Sequence, residues 1–448
     1  MGLLLLLLIS VVFVVGATVK LKLHPFLALI IVAFAFGIVS GMPLADVVSS
    51  VNEGFGGTIG YIGIVILAGS IIGTFLERSG GAYRLAESML RVTGERNVPL
   101  AMTGVGYVIS IPVFCDSGFV LLSPLNAALA RRAKLPLAAC AAALSLGLYA
   151  THTMVPPTPG PLAAAGILEA DVGLVIIWGL IVSAVAALAG WLFAVKIASK
   201  VTLAGDAISG DVSGEREGVA EDAPSTAKSL LPILLPVLLI VSRSIAGLPG
   251  KPFGEGAFVT FLDFLGQPVV ALLIGVLLAF LLPKKLSRDM LSSSGWVGQA
   301  VIDAAGIIVI TGAGGAFGKV LQNSGIAAVI GDTLTNHERI GIWLPFIIAA
   351  GIKTAQGSST VSIITTAGLV SPLLPALGLD GSVAKALVVV SIGAGAMVVS
   401  HANDSYFWVV TQFSKMTVNQ GYRIQGLGTL VEGCAAAVAV WVLSLFVL

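Results

Sequence analysis

The sequence predicts an all-α polytopic membrane protein of about ten transmembrane helices. It is expected to be two inverted repeats, each with one re-entrant hairpin and one broken helix. Three observations predict this. Only 10% of the 448 residues are charged, against about 25% in soluble domains. Apolar runs of the ~17–25 residues that cross a bilayer as helix recur along the chain. Two polar interruptions, ATHTMVPPTPGP (Ala150–Pro161) and SHANDSYFW (Ser400–Trp408), fall inside such runs at matched places in the two halves.

The first run, Gly2 to Val19, reads as a retained span rather than a signal peptide. It has no positive residue before it, and Lys20 and Lys22 follow it. That loop is cytoplasmic by the positive-inside rule, which puts the N-terminus outside. Span 2 is expected from His24 to Ser40. An outer connector from Gly41 to Gly56 follows, with Asp46 and Glu53 but no Lys or Arg. Span 3 runs from Gly57 to Leu76. Tyr83 to Asn97, with Arg84, Arg91 and Arg96, reads as a cytoplasmic interfacial helix. Val98 to Ala130 lies between Arg96 and the cluster Arg131, Arg132, Lys134. Two full crossings fit the charges but would make short spans; a hairpin also keeps both clusters inside, with its tip near Pro112–Gly118. Its arms of about 14 residues reach roughly 20 Å, short of the ~30 Å hydrocarbon core.

Span 4 starts at Leu135 and breaks at Ala150–Pro161, whose four prolines cannot continue a helix. Unwound backbone at membrane depth is tolerated only where protein or a wet cavity surrounds it. Span 5, Val172 to Val195, returns to Lys196 and Lys200. Ala204 to Lys228 is polar and acidic and reads as a linker at 204–228, between repeats at 1–203 and 229–448. Span 6 is Ser229 to Ile245. Span 7, Gln267 to Leu282, ends at Lys284, Lys285 and Arg288. Span 8 runs from Ala300 to Leu321. A second hairpin is expected from Ile340 to Leu377, with its tip at Gln356–Thr360. Span 9 begins near Ala384, breaks at Ser400–Ser405 and ends by Lys415. Span 10, Gly428 to Leu448, finishes outside.

The halves match in sequence. IIGTFLERSGGA (Ile71–Ala82) pairs with AFGKVLQNSGIA (Ala316–Ala327), HPFLAL with QPVVAL, LLSPL with LVSPL, and Thr151-His152 with Ser400-His401. All fall in one order, at offsets of 243 to 249 residues. Charge placement sends span 3 inward and its counterpart span 8 outward, so the repeats are inverted. That architecture belongs to secondary transporters, whose sites lie near the midplane between broken helices.

Helix N-termini attract anions through unpaired N–H groups and the dipole. The polar residues at the four interruptions are therefore the candidate site. Asp116 is the sole acid between Glu95 and Glu169. A charge at bilayer depth is costly, and such a residue is usually functional; Asp116 is the first choice as proton carrier. Asp404 is the second. Lys353 can pair with a substrate carboxylate or with a buried aspartate. His152 and His401 occupy matched positions and can bind hydroxyls or carry protons. Ser117, Thr158, Gln356, Ser358, Ser359, Thr360 and Asn403 complete a set suited to a polyhydroxylated ligand.

Other classes are excluded. Cys115, Cys140 and Cys434 have neither metal nor CxxC spacing. GAGGAFG (Gly312–Gly318) lies inside an apolar span and follows no strand, so it is not a dinucleotide loop. No basic stripe suggests nucleic acid, no cofactor is expected, and no motif supports an enzyme.

With these motifs in view, the chain resembles the gluconate permease family of the ion-transporter superfamily. The resemblance rests on HPFLAL, GTFLERSGGA, FCDSGFVLLSPL, TH…VPPTPGP, GSSTVSIITTAG and SHANDSYFW, and it covers nearly the whole chain. It implies proton-driven uptake of gluconate or a related sugar acid across a bacterial inner membrane. It also implies a homodimer with a scaffold domain and a moving transport domain, hence an elevator mechanism. Asp116 falls where the family has a hairpin acid, and His152 with Pro156 and Pro157 on its first break. Lys353 takes the place of a basic residue, Ser358 and Thr360 the GSxT tip, and Asn403 and Asp404 the second break. Two departures are Cys115 and Ser117 around the acid, and Thr158 after the prolines. D-serine, fructuronate or another short hydroxy acid is the alternative cargo, and a passive channel the remote one.

Overall fold

The computed structural model describes residues 2–93, 97–203, 223–247, 253–325, 341–401 and 404–448, and these residues contain helices and no strand. Most of the 204–228 linker lies outside them. The first span forms as α1 (Gly2–Val19) and the second as α2 (Pro25–Val39), where His24 Nδ1 accepts from the Phe26 amide. The expected outer connector at 41–56 is not a loop. It forms the first turns of α3 (Leu44–Arg78), a helix of 35 residues. Asp46 and Glu53 suggested a loop because acids are rare in spans, but Asp46 lies in the helix's first turn, where a negative charge suits the dipole. The amphipathic α4 (Gly81–Thr93) follows.

The first hairpin is α5 (Val98–Ile109) and α6 (Cys115–Arg132), joined through Ser110–Phe114. Span 4 is α7 (Leu137–Met154) and α8 (Pro159–Ile167). The break is narrower than the sequence suggests. Helix persists through Ala150–Met154, and only Val155–Thr158 is unwound. Pro159 and Pro161 do not break anything; they sit in the first turn of α8, where a missing N–H costs no bond. Positions 138–168 are all buried, so protein shields the unwound backbone on every side.

Next come α9 (Val172–Lys196), α10 (Thr226–Ala246), α11 (Ala257–Leu265) and α12 (Pro268–Ala279). The sequence reading had no element at α11, which meets α12 at 67°. The short α13 (Arg288–Leu291) leads into α14 (Trp296–Asn323). The second hairpin is α15 (Trp343–Gln356) and α16 (Ser359–Val370). Gly357 turns it with φ 94, a left-handed conformation that favours glycine. Span 9 is α17 (Ser382–Gly395) and α18 (Ser405–Phe413). Its break begins at Ala396, earlier than the expected Ser400, because glycine and small residues end α17 without proline. The short α19 (Val418–Gly421) and a π-turn over Tyr422–Gly426 feed α20 (Leu427–Val447).

Among the described residues, five helical stretches are long and apolar enough to cross a membrane unaided, or seven if bent pairs count as one span each. The expected ten includes α2 and α17, of 15 and 14 residues. Such lengths reach only about 21–23 Å.

Candidate functional site

The interruptions meet because glycines let neighbouring helices approach them. On α3, Gly69 faces the carbonyl of Pro157 and Gly73, one turn on, that of Pro112; added Cβ atoms would stand 3.0 and 2.4 Å away. Gly179 of α9 and Gly393 of α17 abut the Met154 and Thr153 carbonyls at 2.4 and 2.3 Å on the same measure. One helix thus braces the first hairpin tip and the first break, while two more close on that break.

A cavity of about 300 Å³ opens where these parts converge, at the small end of the range for ligand sites. Phe114, Cys115 and Asp116 line it from the start of α6. Tyr149 and His152 come from the end of α7, and Ser358, Ser359 and Thr360 from the start of α16. Asp404 and Tyr406 come from the start of α18. Three helix N-termini therefore point at one space. Asp116 Oδ1 is buried and has no hydrogen-bond partner, and the same holds for His152 Nδ1. The His152 ring stacks on Tyr149, with centroids 6.4 Å apart and planes within 13°. Ser358 caps α16, its hydroxyl accepting from Val361 N.

Lys353 and Asp404 are fixed to each other. Lys353 Nζ donates to Asp404 Oδ2 at 2.6 Å and to the Gly357 carbonyl; its side chain is 0% exposed and that of Asp404 5%. Asp404 also accepts from Ser400 Oγ at 2.5 Å and from Tyr406 N at 3.1 Å. This carboxylate already has three donors and a counter-charge. Of the two partners the sequence allowed Lys353, the structure selects the aspartate.

Several other expected contacts do not reach the cavity. Thr158 Oγ1 donates to the Val155 carbonyl at 2.5 Å, closing the turn of the first break. Thr151 ties α7 to the Tyr107 carbonyl of α5. His401 Nε2 pairs with the Thr354 carbonyl at 2.7 Å, stitching the second break to α15. Ser117 lies beside Asp116 on α6, outside the cavity lining. Gln356 ends α15. Asn403 lies outside the described residues. Sequence reasoning missed Asp303, which lines the cavity from α14 and accepts from Gln299 at 2.7 Å. It also missed Tyr149 and Tyr406. Asp303 shares one helical face with Gln299, Gly306 and Ile310, and that spacing was the available signal.

An all-helical bundle whose two hairpin tips, second helix break and the helix end before the first break line a small polar cavity is built as a membrane transporter. The model for the GntP family permeases matches residues 2–446. The chain is 35% identical over 418 residues to a gluconate permease of Pseudomonas aeruginosa, covering 93% of this chain and 92% of that protein. It is 32% identical over 442 residues to the D-serine transporter DsdX of Escherichia coli, covering 98% of each. Its fold resembles that of the YdaH transporter of Alcanivorax borkumensis, with TM-score 0.67 at 15% identity, over 95% of this chain and 99% of that one. The chain belongs to the GntP family of permeases. It is a multi-pass membrane protein and a transporter, not an enzyme.

Proposed function

We propose that this permease takes up gluconate or a closely related sugar acid, coupled to protons, across the bacterial inner membrane. The observation that carries the reading is the charge balance of the cavity. Lys353 and Asp404 cancel each other, and the acids left are Asp116 and Asp303. Against them stand the N-termini of α6, α16 and α18, each worth roughly half a positive charge. A substrate carboxylate at these termini is opposed by an ionised Asp116 and accepted beside a neutral one. Proton and anion therefore bind together. Ser358, Ser359, Thr360 and His152 present donors and acceptors to sugar hydroxyls, with Gln356 on adjoining backbone; Asn403 joins the set on the sequence alone. Lys353 acts through Asp404, holding the second break in shape.

The same reading has two inverted repeats, 1–203 and 229–448, joined by the 204–228 linker, with about ten spans and both termini periplasmic. A homodimer with a moving transport domain gives alternating access. A second reading is D-serine or another short hydroxy acid. It is favoured by Asp116 Oδ1, whose missing partner would be supplied by an ammonium group.

The test is labelled gluconate uptake in proteoliposomes under an imposed pH gradient. Accumulation should be competed by unlabelled gluconate, collapse with a protonophore and fall as external pH rises and Asp116 ionises. Asp116→Asn should keep counterflow and lose pH-driven accumulation. Competition by D-serine but not gluconate favours the second reading, and absence of counterflow in the wild type favours a channel.

A further inference from the structure

The cavity does not use Glu432. This residue lies one turn into α20, 0% exposed, and neither carboxyl oxygen has a hydrogen-bond partner. A bare carboxylate in such a place is heavily penalised unless it gains a partner or a proton. An ionisable residue inside a membrane protein is by default functional.

Its surroundings are built around it. Gly190 of α9 has no side chain on this side; a Cβ there would lie 3.5 Å from Glu432 Oε1 and 2.9 Å from Cβ of Leu146 on α7. Beside Leu146, Ser145 donates its hydroxyl to Gln425 Oε1 at 2.6 Å, and the Ser145 carbonyl accepts from Tyr406 Oη at 2.9 Å. Gln425 sits in the π-turn that feeds α20, also 0% exposed, with Nε2 unpartnered. Such turns recur at functional sites. Tyr406 lines the substrate cavity. Polar contacts thus run from the cavity wall through Tyr406 and Ser145 to Gln425, in the turn that feeds the helix bearing Glu432.

The other flank of α20 carries the second break. Thr429 Oγ1 accepts from Ser400 N at 3.0 Å, and Ser400 holds Asp404. A Cβ on Gly433 would stand 2.5 Å from Val398 Cγ2 and 2.9 Å from the Ala394 carbonyl. Glu432 lies between these two contact residues.

We propose that Glu432 is a second proton-binding group, outside the substrate cavity, whose charge state sets how α20 seats the second helix break. With a proton, the carboxyl fits the apolar contact of α7, α9 and α20. Without one it requires water or a cation, and α20 must part from α7 and α9, loosening the Ser400–Asp404–Lys353 cluster. The titratable groups on the packed elements are Tyr406 on α18, Cys140, Tyr149 and His152 on α7, Lys196 on α9, Lys353 on α15, Lys385 on α17, Tyr422 and Arg423 in the π-turn and Cys434 on α20 itself. None hydrogen-bonds to Glu432.

This inference rests on the proton-coupled reading above, and two measurements on the full chain separate them. Infrared spectra of wild type minus Glu432→Gln should contain a protonated carboxylic acid band at neutral pH that decays as pH rises. In proteoliposomes Glu432→Gln should keep gluconate counterflow, with KM within about twofold, and lose pH-driven accumulation about tenfold or more. A cavity residue would move KM, and a structural lesion would remove counterflow as well. Wild-type pH dependence in Glu432→Gln, or carboxylate bands in place of the acid band, overturns the proposal. If wild-type protein transports no gluconate, the sugar-acid reading falls and the infrared result decides Glu432 alone.

Discussion

Lys353→Met isolates the role of the buried ion pair. The substitution keeps the length and apolar stem of the side chain but removes the ammonium. Asp404 is then left with Ser400 Oγ and Tyr406 N as donors, its side chain 5% exposed and without counter-charge. Removing one partner of a buried pair costs about 3–5 kcal/mol, because the other charge stays behind. Asp404→Asn should cost a similar amount, stranding Lys353 with the Gly357 carbonyl. The double variant strands neither charge, so it should be more stable than the sum of the singles predicts, by on the order of 2–3 kcal/mol. Denaturant unfolding in mixed micelles, followed by tryptophan fluorescence, measures all four corners of the cycle. Singles within about 1 kcal/mol of wild type, or additive losses, would refute the assignment. Additivity would mean that Lys353 and Asp404 are separately solvated and that Lys353 is free to meet substrate after all.

Two pairs of variants test the geometry further. Gly179→Val drives a side chain against the Met154 carbonyl, which a Cβ would meet at 2.4 Å; it should destabilise by about 1–3 kcal/mol or more. Gly60→Ala on α3, with nothing within 4 Å, should be neutral or stabilising by up to about 1 kcal/mol in the same assay. Thr158→Val removes a bond internal to the first break and should lower stability by about 1 kcal/mol while leaving transport KM unchanged. Thr360→Val, in the cavity wall, should raise KM about tenfold. The reverse pattern would return Thr158 to the ligand.

Hydrophobic run length and turn residues made the helices legible, and the placement of Arg and Lys made the first hairpin legible. What run length does not carry is pairing. Lys353, Asp404 and Asp116 all read as costly polar residues at membrane depth, yet two neutralise each other and the third has an oxygen without a partner. Only packing brings α15 and the start of α18 together. Hydroxyls mislead for a related reason: Thr158 and Thr151 bond to carbonyls within or beside their own helices, as Ser and Thr often do when helices pack. Asp303 was missed because it lies in a long helical run with no interruption to mark it. The apparent outer loop before span 3 failed because acids at a helix start suit the helix as well as they suit a loop.

The two breaks are held by different forces, and this bears on which of them can move. Prolines make the first, and glycines on α3, α9 and α17 press against the Pro157 carbonyl within it and the Met154 and Thr153 carbonyls just before it. Its internal bond is a neutral hydroxyl to a carbonyl. Neither of these contacts changes with protonation. The second has no proline, and its described residues are 396–401 and Asp404. It is held by an ion pair, by Ser400 and Thr429, and by His401 on the Thr354 carbonyl. Those contacts depend on charge, and α20, with its unpartnered Glu432, lies against them. A protonation event therefore bears on the second break and leaves the first unaltered. If the cavity is to change shape with the proton, the wall formed by Asp404 and Tyr406 is the one that moves, against a fixed wall formed by Tyr149 and His152.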